Sequence, residues 1–302
     1  MSSEANEFDA AIRAHDETLE SRGLEVWVGA EPTFTRRSSE SPEWLSEALG
    51  ESKQHYAACI LRRMHRQHPG SLVLRTIGRQ YADEDLPRWN LGLYRRRDGQ
   101  ALADSLPVDP MGQVVSCGLE LMQAFWQRLI SVLNRQGWYG GGFQAGGDMG
   151  LRILFRLDGG RPLVDPHQDS RLTRPSLHEH AIPLSGAVDD LATDGQYLIT
   201  IGCPAVGTDN IRHPCIELPA FPDVPSFVTF VRLVAEAAAG AGLRQLVWRG
   251  FTQPVDNSVA WTTLTPDPAV VEINAAPAVD ARQFLAMSRP LYAMAEAEGL
   301  SA

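Results

Sequence analysis

Gly23-Leu24-Glu25-Val26-Trp27-Val28-Gly29-Ala30-Glu31-Pro32-Thr33-Phe34-Thr35 is the stretch from which a fold can be argued. Leu24, Val26 and Val28 alternate with Glu25, Trp27 and Gly29, the period-two pattern of a strand with two unlike faces. Gly29 and Pro32 then break the pattern, so Glu31 is expected at the strand's end with its carboxylate toward a cleft. An acid at a strand end is usually just solvated. A second such acid, Glu272, lies far away in Thr265-Pro266-Asp267-Pro268-Ala269-Val270-Val271-Glu272-Ile273-Asn274, with Val271 and Ile273 on the opposite face of a short strand. Two strands each projecting an acid can assemble a divalent-cation site.

The chain has 302 residues, 44% hydrophobic and 21% charged, enough apolar material for one continuous domain over 1–302. A net charge of −10 and a pI near 5.3 argue against nucleic acid as a partner, since phosphate binding needs a basic surface. Cys59, Cys117, Cys203 and Cys215 have no CxxC spacing and read as reduced thiols rather than a disulfide framework or zinc site. The first residues are acidic and polar, unlike a secretory leader, and the most apolar helix carries Arg232 and Glu236, which argues against a membrane span. The expectation is a cytoplasmic protein with no membrane partner.

Helices are expected over residues 7–21, from Ser41-Pro42 to about His68, over 111–135, over 225–240 with Pro225 at the start and Gly240 at the end, and from Asp280 with a kink at Pro290. His55, His65 and His68 on the second of these read as a solvated face. Strands are expected over 72–77, 87–99, 151–157, 197–202, 214–218, 244–250 and 259–264, besides those of Glu31 and Glu272. Strands outnumber long helices and do not alternate with them, so the fold class is α+β with a mainly antiparallel sheet and packed helices.

Arg75, Arg79, Arg88, Arg95, Arg96 and Arg97 gather in an otherwise acidic chain, and guanidinium forks suit carboxylate or phosphate. Arg95 to Arg97 read as plain surface. Arg75, Arg79 and Arg88, set among apolar and aromatic residues, are the candidates for a lined cleft. The glycine-rich run from Gly140 to Gly147 lacks the lysine of a phosphate-binding loop and reads as a turned connection. Asp165, His167 and Asp169 alternate and would bind a metal or substrate, or else brace a loop through Asp-to-backbone turns. His178-Glu179-His180 lacks the spacing of a metalloprotease helix.

With these residues assembled, the chain resembles a family of uncharacterised bacterial amidoligases with a glutamine-synthetase-like fold, often fused to or encoded beside a transglutaminase-like domain. The matching pieces are Glu25 through Phe34, Arg79-Gln80-Tyr81, Leu86-Pro87-Arg88-Trp89, Leu91-Gly92-Leu93-Tyr94, Val164-Asp165-Pro166, Asp169-Ser170-Arg171-Leu172, and Thr265 through Asn274. The resemblance implies an ATP- and magnesium-dependent carboxylate–amine ligase, with Glu31 and Glu272 as metal ligands. It implies Arg79 and Arg88 as the catalytic cations that contact phosphate or carboxylate; Arg75, from its place in the lined cleft, joins Arg79 as an expected cofactor contact. Family members continue past the position of Asn274 into a second half with a segment of the form HTGTGGGNH, so the resemblance is to the first half. The expectation from this is a split ligase completed by a separate chain or by homo-oligomer contacts, acting on a carboxylate or peptide. Two other readings compete: a non-catalytic relative that binds such a substrate or a partner, and a different metal-dependent enzyme using Asp165, His167 and Asp169.

Overall fold

Local sequence accounts for most of the element boundaries in the computed structural model, which describes residues 3–82, 84–111, 117–145, 150–162, 165–174, 189–203, 205–206 and 211–302. The first elements are α1 (Ser3–Ser21), β1 (Thr33–Phe34), α2 (Glu51–Gln67), β2 (Leu72–Ile77), β3 (Trp89–Arg96) and α3 (Leu119–Arg135). There follow β4 (Gly140–Gln144), β5 (Leu151–Phe155), α4 (Asp190–Thr193), β6 (Tyr197–Gly202), and the small β7 (Ala205–Val206) and β8 (Ile211–Arg212). The chain ends with β9 (Cys215–Leu218), α5 (Val224–Ala241), β10 (Val247–Gly250), β11 (Val259–Asp267), β12 (Val270–Ala275) and α6 (Ala281–Ala297). These elements sort into two compact units, residues 1–64 with 261–302, and residues 65–260.

In the first unit β1 and β11 pair antiparallel on either side of β12. Phe34, Leu264, Val271 and Ile273 form its buried face, each at most 1% exposed, and Tyr292 of α6 meets Phe34 edge to face at 5.4 Å. The expected opening strand is confined to Thr33–Phe34. Residues 24–32 have no regular partner beyond a single bridge from Val28 to Ala278, and Leu24, Val26 and Trp27 stay exposed. Among the described residues no strand lies beside that alternation to pair with it. The helix expected from Ser41 also breaks, into a 3-10 turn at Pro42–Trp44 and then α2. The break has two physical causes. A Cβ on Gly50 would fall 1.8 Å from Oε2 of Glu43, and the carbonyls of Glu47 and Ala48 are taken by the ammonium of Lys53 at 2.9 Å each. The α6 start is capped twice: Asp280 accepts from the Gln283 N–H, and Asp16 of α1 accepts from Ala281 and Arg282.

In the second unit the strand order among the described residues is β3-β2-β10-β9-β6-β5-β4. This sheet is mixed, which corrects the expectation of a mainly antiparallel one: β10 runs parallel to both β2 and β9. The cause is the β9–α5–β10 crossover, since a strand that returns through a helix lands parallel to its predecessor. Asp223 caps α5 by accepting from Ser226 N–H, and the helix ends at Gly242 in the left-handed conformation, two residues beyond the expected Gly240. By length and composition α5 is apolar enough to cross a membrane, so Arg232 and Glu236 do not disqualify it; here Phe227, Phe230, Val231 and Val234 are fully buried. Phe230 stacks on Phe155 at 6.1 Å and meets Phe221 at 4.9 Å. The glycine-rich run is a strand as far as Gln144. Gly142 lets β4 lie against α3, because a Cβ there would sit 2.4 Å from Trp126.

Candidate functional site

One face of the first unit's sheet is polar. Glu272 stands at the centre of β12 with Thr33 of β1 opposite it on one side and Thr265 of β11 on the other. One step along, Asn274 faces Thr263. Strand alternation makes these side chains share a face, while Val271 and Ile273 go to the core. Glu272 is half-buried and accepts a hydrogen bond from Nδ2 of Asn274 at 2.6 Å. Glu31 lies just ahead of β1, exposed and outside any strand. Its neighbour Pro32 accepts from Ile273 N–H at 2.9 Å, which carries the chain at Glu31 alongside the stretch from Glu272 to Asn274.

This donor set is all oxygen, the preference of a hard cation. Magnesium keeps several waters and takes one or two carboxylates, so by donor type Glu272 beside the Thr33 and Thr265 hydroxyls suits a hydrated ion better than a full protein cage, and Glu31 is brought near by its backbone. No group of three or more His, Cys, Asp or Glu suited to a metal occurs among the described residues.

The expected arginines lie in the second unit, on the β2–β3 hairpin. Arg75 is held by Asp109 through both carboxylate oxygens, Nη2 to Oδ1 at 2.8 Å and Nη1 to Oδ2. Burial works against its charge, but the Asp109 carboxylate prevails and holds the guanidinium protonated. Arg88 gives Nε to Oε1 of Glu84 at 2.8 Å and lies over the Tyr81 ring at 4.2 Å. Arg79 is exposed, and no carboxylate among the described residues bonds it. Its carbonyl accepts from Arg88 N–H at 2.9 Å, so the two backbones are adjacent at the hairpin's end. Of the three, Arg79 is the one whose charge is open to a ligand.

Sequence reasoning missed a polar row across the middle of the same sheet. Strand register aligns Arg152 with Thr200, Thr200 with Glu217, Glu217 with Arg249, and Arg249 with Arg75. Arg152 and Glu217 are 3% and 5% exposed while Thr200, Arg249 and Arg75 are half-buried, so this seam is not a solvated face. Nε of Arg249 and Nδ1 of His213 are buried atoms with no hydrogen-bond partner among the described residues. Burial lowers the pKa of His213, the charges of Arg249 and Arg75 lower it further, and Asp109 opposes them. The imidazole is therefore favoured neutral. The signal for this seam was a lone charge inside a short apolar strand: Glu217 within Cys215–Leu218 and Arg249 within Val247–Gly250.

The remaining candidates resolve simply. Asp165 accepts from His167 N–H at 3.0 Å, and Asp169 from Arg171 N–H at 3.0 Å while also pairing with the Arg171 guanidinium. These are the Asp-to-backbone turns of a braced loop, and His167 is exposed. His178, Glu179, His180 and Gly147 lie outside the described residues. A cavity of about 200 Å³ in the first unit is lined by Asp16, Leu19, Leu24, Val28, Val279 and Arg282, and does not include Glu31 or Glu272.

No curated protein and no solved structure matches this chain. The model of the family described as "Putative amidoligase enzyme (DUF2126)" matches residues 3–135 and 208–302, which take in Glu31, Arg75, Arg79, Arg88 and Glu272 and leave out β4, β5, α4, β6 and β7. That match spans well over half of the chain, and the chain belongs to this amidoligase-type family.

Proposed function

We propose that the protein is an ATP- and magnesium-dependent ligase that joins a carboxylate, free or on a peptide, to an amine. Membership of an amidoligase-type family supports the reaction class. The single observation that carries the site is Glu272, centred on a polar three-strand face between Thr33 and Thr265 and oriented by Asn274. In this reading Glu272 and Glu31 hold the hydrated ion. When bound, magnesium draws charge from the transferring phosphoryl group. Arg79 is the open cation for phosphate or carboxylate. Arg75 and Arg88 act through their partners: Asp109 and Glu84 fix the guanidinium groups, which makes them positioning residues. A complementing chain or second copy belongs to the same proposal and would make turnover rise steeply with protein concentration.

The test is ADP release with ATP and magnesium, across a panel of carboxylates with and without an amine. Release that requires both acid and amine, and that Glu272→Gln abolishes, is the expected result. Release unaffected by Glu272→Gln, or absent throughout the panel, would overturn it.

One observation favours a second reading, a non-catalytic relative that binds a carboxylate or peptide. Two of the three expected arginines already hold carboxylates, and no three-ligand metal group occurs among the described residues. Substrate binding that persists in Glu272→Gln, with no ADP formed by either protein, would decide for it.

A further inference from the structure

Two buried nitrogen atoms go unused in the second unit. Nε of Arg249 and Nδ1 of His213 have no hydrogen-bond partner among the described residues. A buried donor without an acceptor is rare in native proteins, and one that carries charge is costly. The two residues come together at one end of β10. Val247 N–H donates to the Pro214 carbonyl at 2.9 Å, which sets His213 beside the start of that strand. Leu246 N–H donates to the Val108 carbonyl at 3.1 Å, which brings Asp109 to the same place. Alternation sends Trp248 to the core and turns Arg249 to the face that carries Glu217 on β9 and Arg75 on β2.

We propose that Arg249 and His213 form a binding site for one carboxylate group of a small organic acid. The neighbours explain why this cation is available. Asp109 commits both oxygens to Arg75, and its Oδ1 also accepts from Met111 N–H at 2.8 Å. Arg249 forms no ion pair among the described residues, either with Glu217 or with Asp109. Across the seam, Arg152, Arg249 and Arg75 set three cations against two carboxylates, Glu217 and Asp109. One positive charge is left over, in a chain whose net charge is −10. A monoanion balances it, whereas a phosphate dianion would overshoot in a half-buried place. Two N–H donors also match the two oxygens of a carboxylate: Nε–H of Arg249 and Nδ1–H of a neutral His213 imidazole. Burial, with the charges of Arg249 and Arg75, favours that neutral imidazole, so it adds a donor without adding charge. Such binding needs no nucleotide and so stands apart from the ligase reading.

The experiment soaks crystals of the chain, grown without organic acids, in sodium acetate and separately in sodium phosphate. The expected result is acetate with its oxygens within hydrogen-bond distance of Arg249 Nε and His213 Nδ1. In solution, calorimetric titration at fixed ionic strength should show saturable acetate binding, tighter than that of phosphate. Arg249→Gln should weaken it by roughly tenfold or more, and His213→Phe by less. Arg135→Gln, at an exposed pair with Glu236, should leave it unchanged. The wild-type soak decides the site by itself, should either site variant fold poorly. Water alone between the two nitrogens, acetate only at Arg79, acetate affinity unchanged in Arg249→Gln, or phosphate bound more tightly than acetate would each overturn the proposal. None of these outcomes bears on ADP release, so the ligase test stands or falls separately.

Discussion

Asn274 donates from Nδ2 to Oε1 of Glu272 across 2.6 Å, and the two residues lie two apart on one face of β12. The bond occupies one carboxylate oxygen and fixes the plane of the group between Thr33 and Thr265. A metal-binding carboxylate needs such a brace, because a ligand free to rotate loses orientation on binding. Glu272→Gln should therefore weaken magnesium binding, and Asn274→Ala should weaken it by roughly 10- to 100-fold through orientation alone. Isothermal titration of each variant measures both effects. Equal affinity in Glu272→Gln and wild type would remove Glu272 from the ion.

Lys53 presents a stability prediction in the same unit. Its side chain is fully buried, and Nζ donates to the carbonyls of Glu47, Ala48 and Asp267 at 2.9 Å each. It thereby ties the β11–β12 turn to the loop before α2. Lys53→Met keeps much of the volume but takes the donor from the buried Ala48 carbonyl, at about 1–3 kcal/mol, while the Glu47 carbonyl still accepts from Ala269 N–H at 3.4 Å. The expected loss is about 1–3 kcal/mol in urea unfolding, on the same basis. A loss below about 1 kcal/mol would mean that water replaces the ammonium at little cost.

Long periodic segments were legible from sequence, and pairing was not. The apolar spacing of Phe227, Phe230, Val231 and Val234 located α5 to within two residues, because a helix satisfies its own backbone. The alternation of Leu24, Val26 and Val28 did not make a strand, because a strand also needs a neighbour and no residue count supplies one. The same limit hid the seam of Glu217, Arg249 and Arg75, three charges aligned only by strand register. Arg75 and Arg88 stood out as cations, yet their carboxylate partners Asp109 and Glu84 sit in loops with no spacing rule to tie them. The facing of Glu272 was legible because its own flanking residues, Val271 and Ile273, go to the core.

Gly142 tests why a glycine-rich run became a strand. A Cβ at this position would lie 2.4 Å from Cζ2 of Trp126 and 2.5 Å from Cδ1 of Ile130, both on α3. The indole cannot retreat freely, since Trp126 Nε1 is bonded to the Arg152 carbonyl at 3.1 Å. Gly142→Ala should cost about 1–3 kcal/mol as overpacking, seen in the denaturant midpoint. An unchanged midpoint would show that α3 shifts at no cost.

Tyr94 gives a prediction on the alkaline side. It lies buried on β3 against Phe227, with ring centroids 5.5 Å apart, and its Oη accepts from the Gln253 N–H at 3.1 Å. Gln253 in turn donates from Nε2 to the carbonyls of Pro219 and Phe251 at 2.8 and 2.9 Å, so the phenol sits in a buried polar knot. Burial raises the phenol's pKa from 10.0 to about 12, with the Gln253 N–H pulling weakly the other way. The folded state then holds the proton more tightly than the unfolded chain does. Its contribution is complete below pH 10 and is lost as pH rises toward about 12. Tyr94→Phe removes the titrating group and leaves the Gln253 N–H without its acceptor, at about 1–3 kcal/mol. At neutral pH the variant should be less stable by that amount, and the gap should narrow between pH 10 and about 12. Urea unfolding at several pH values reads both effects, and a gap that stays constant through this window would mean that Tyr94 does not titrate with folding.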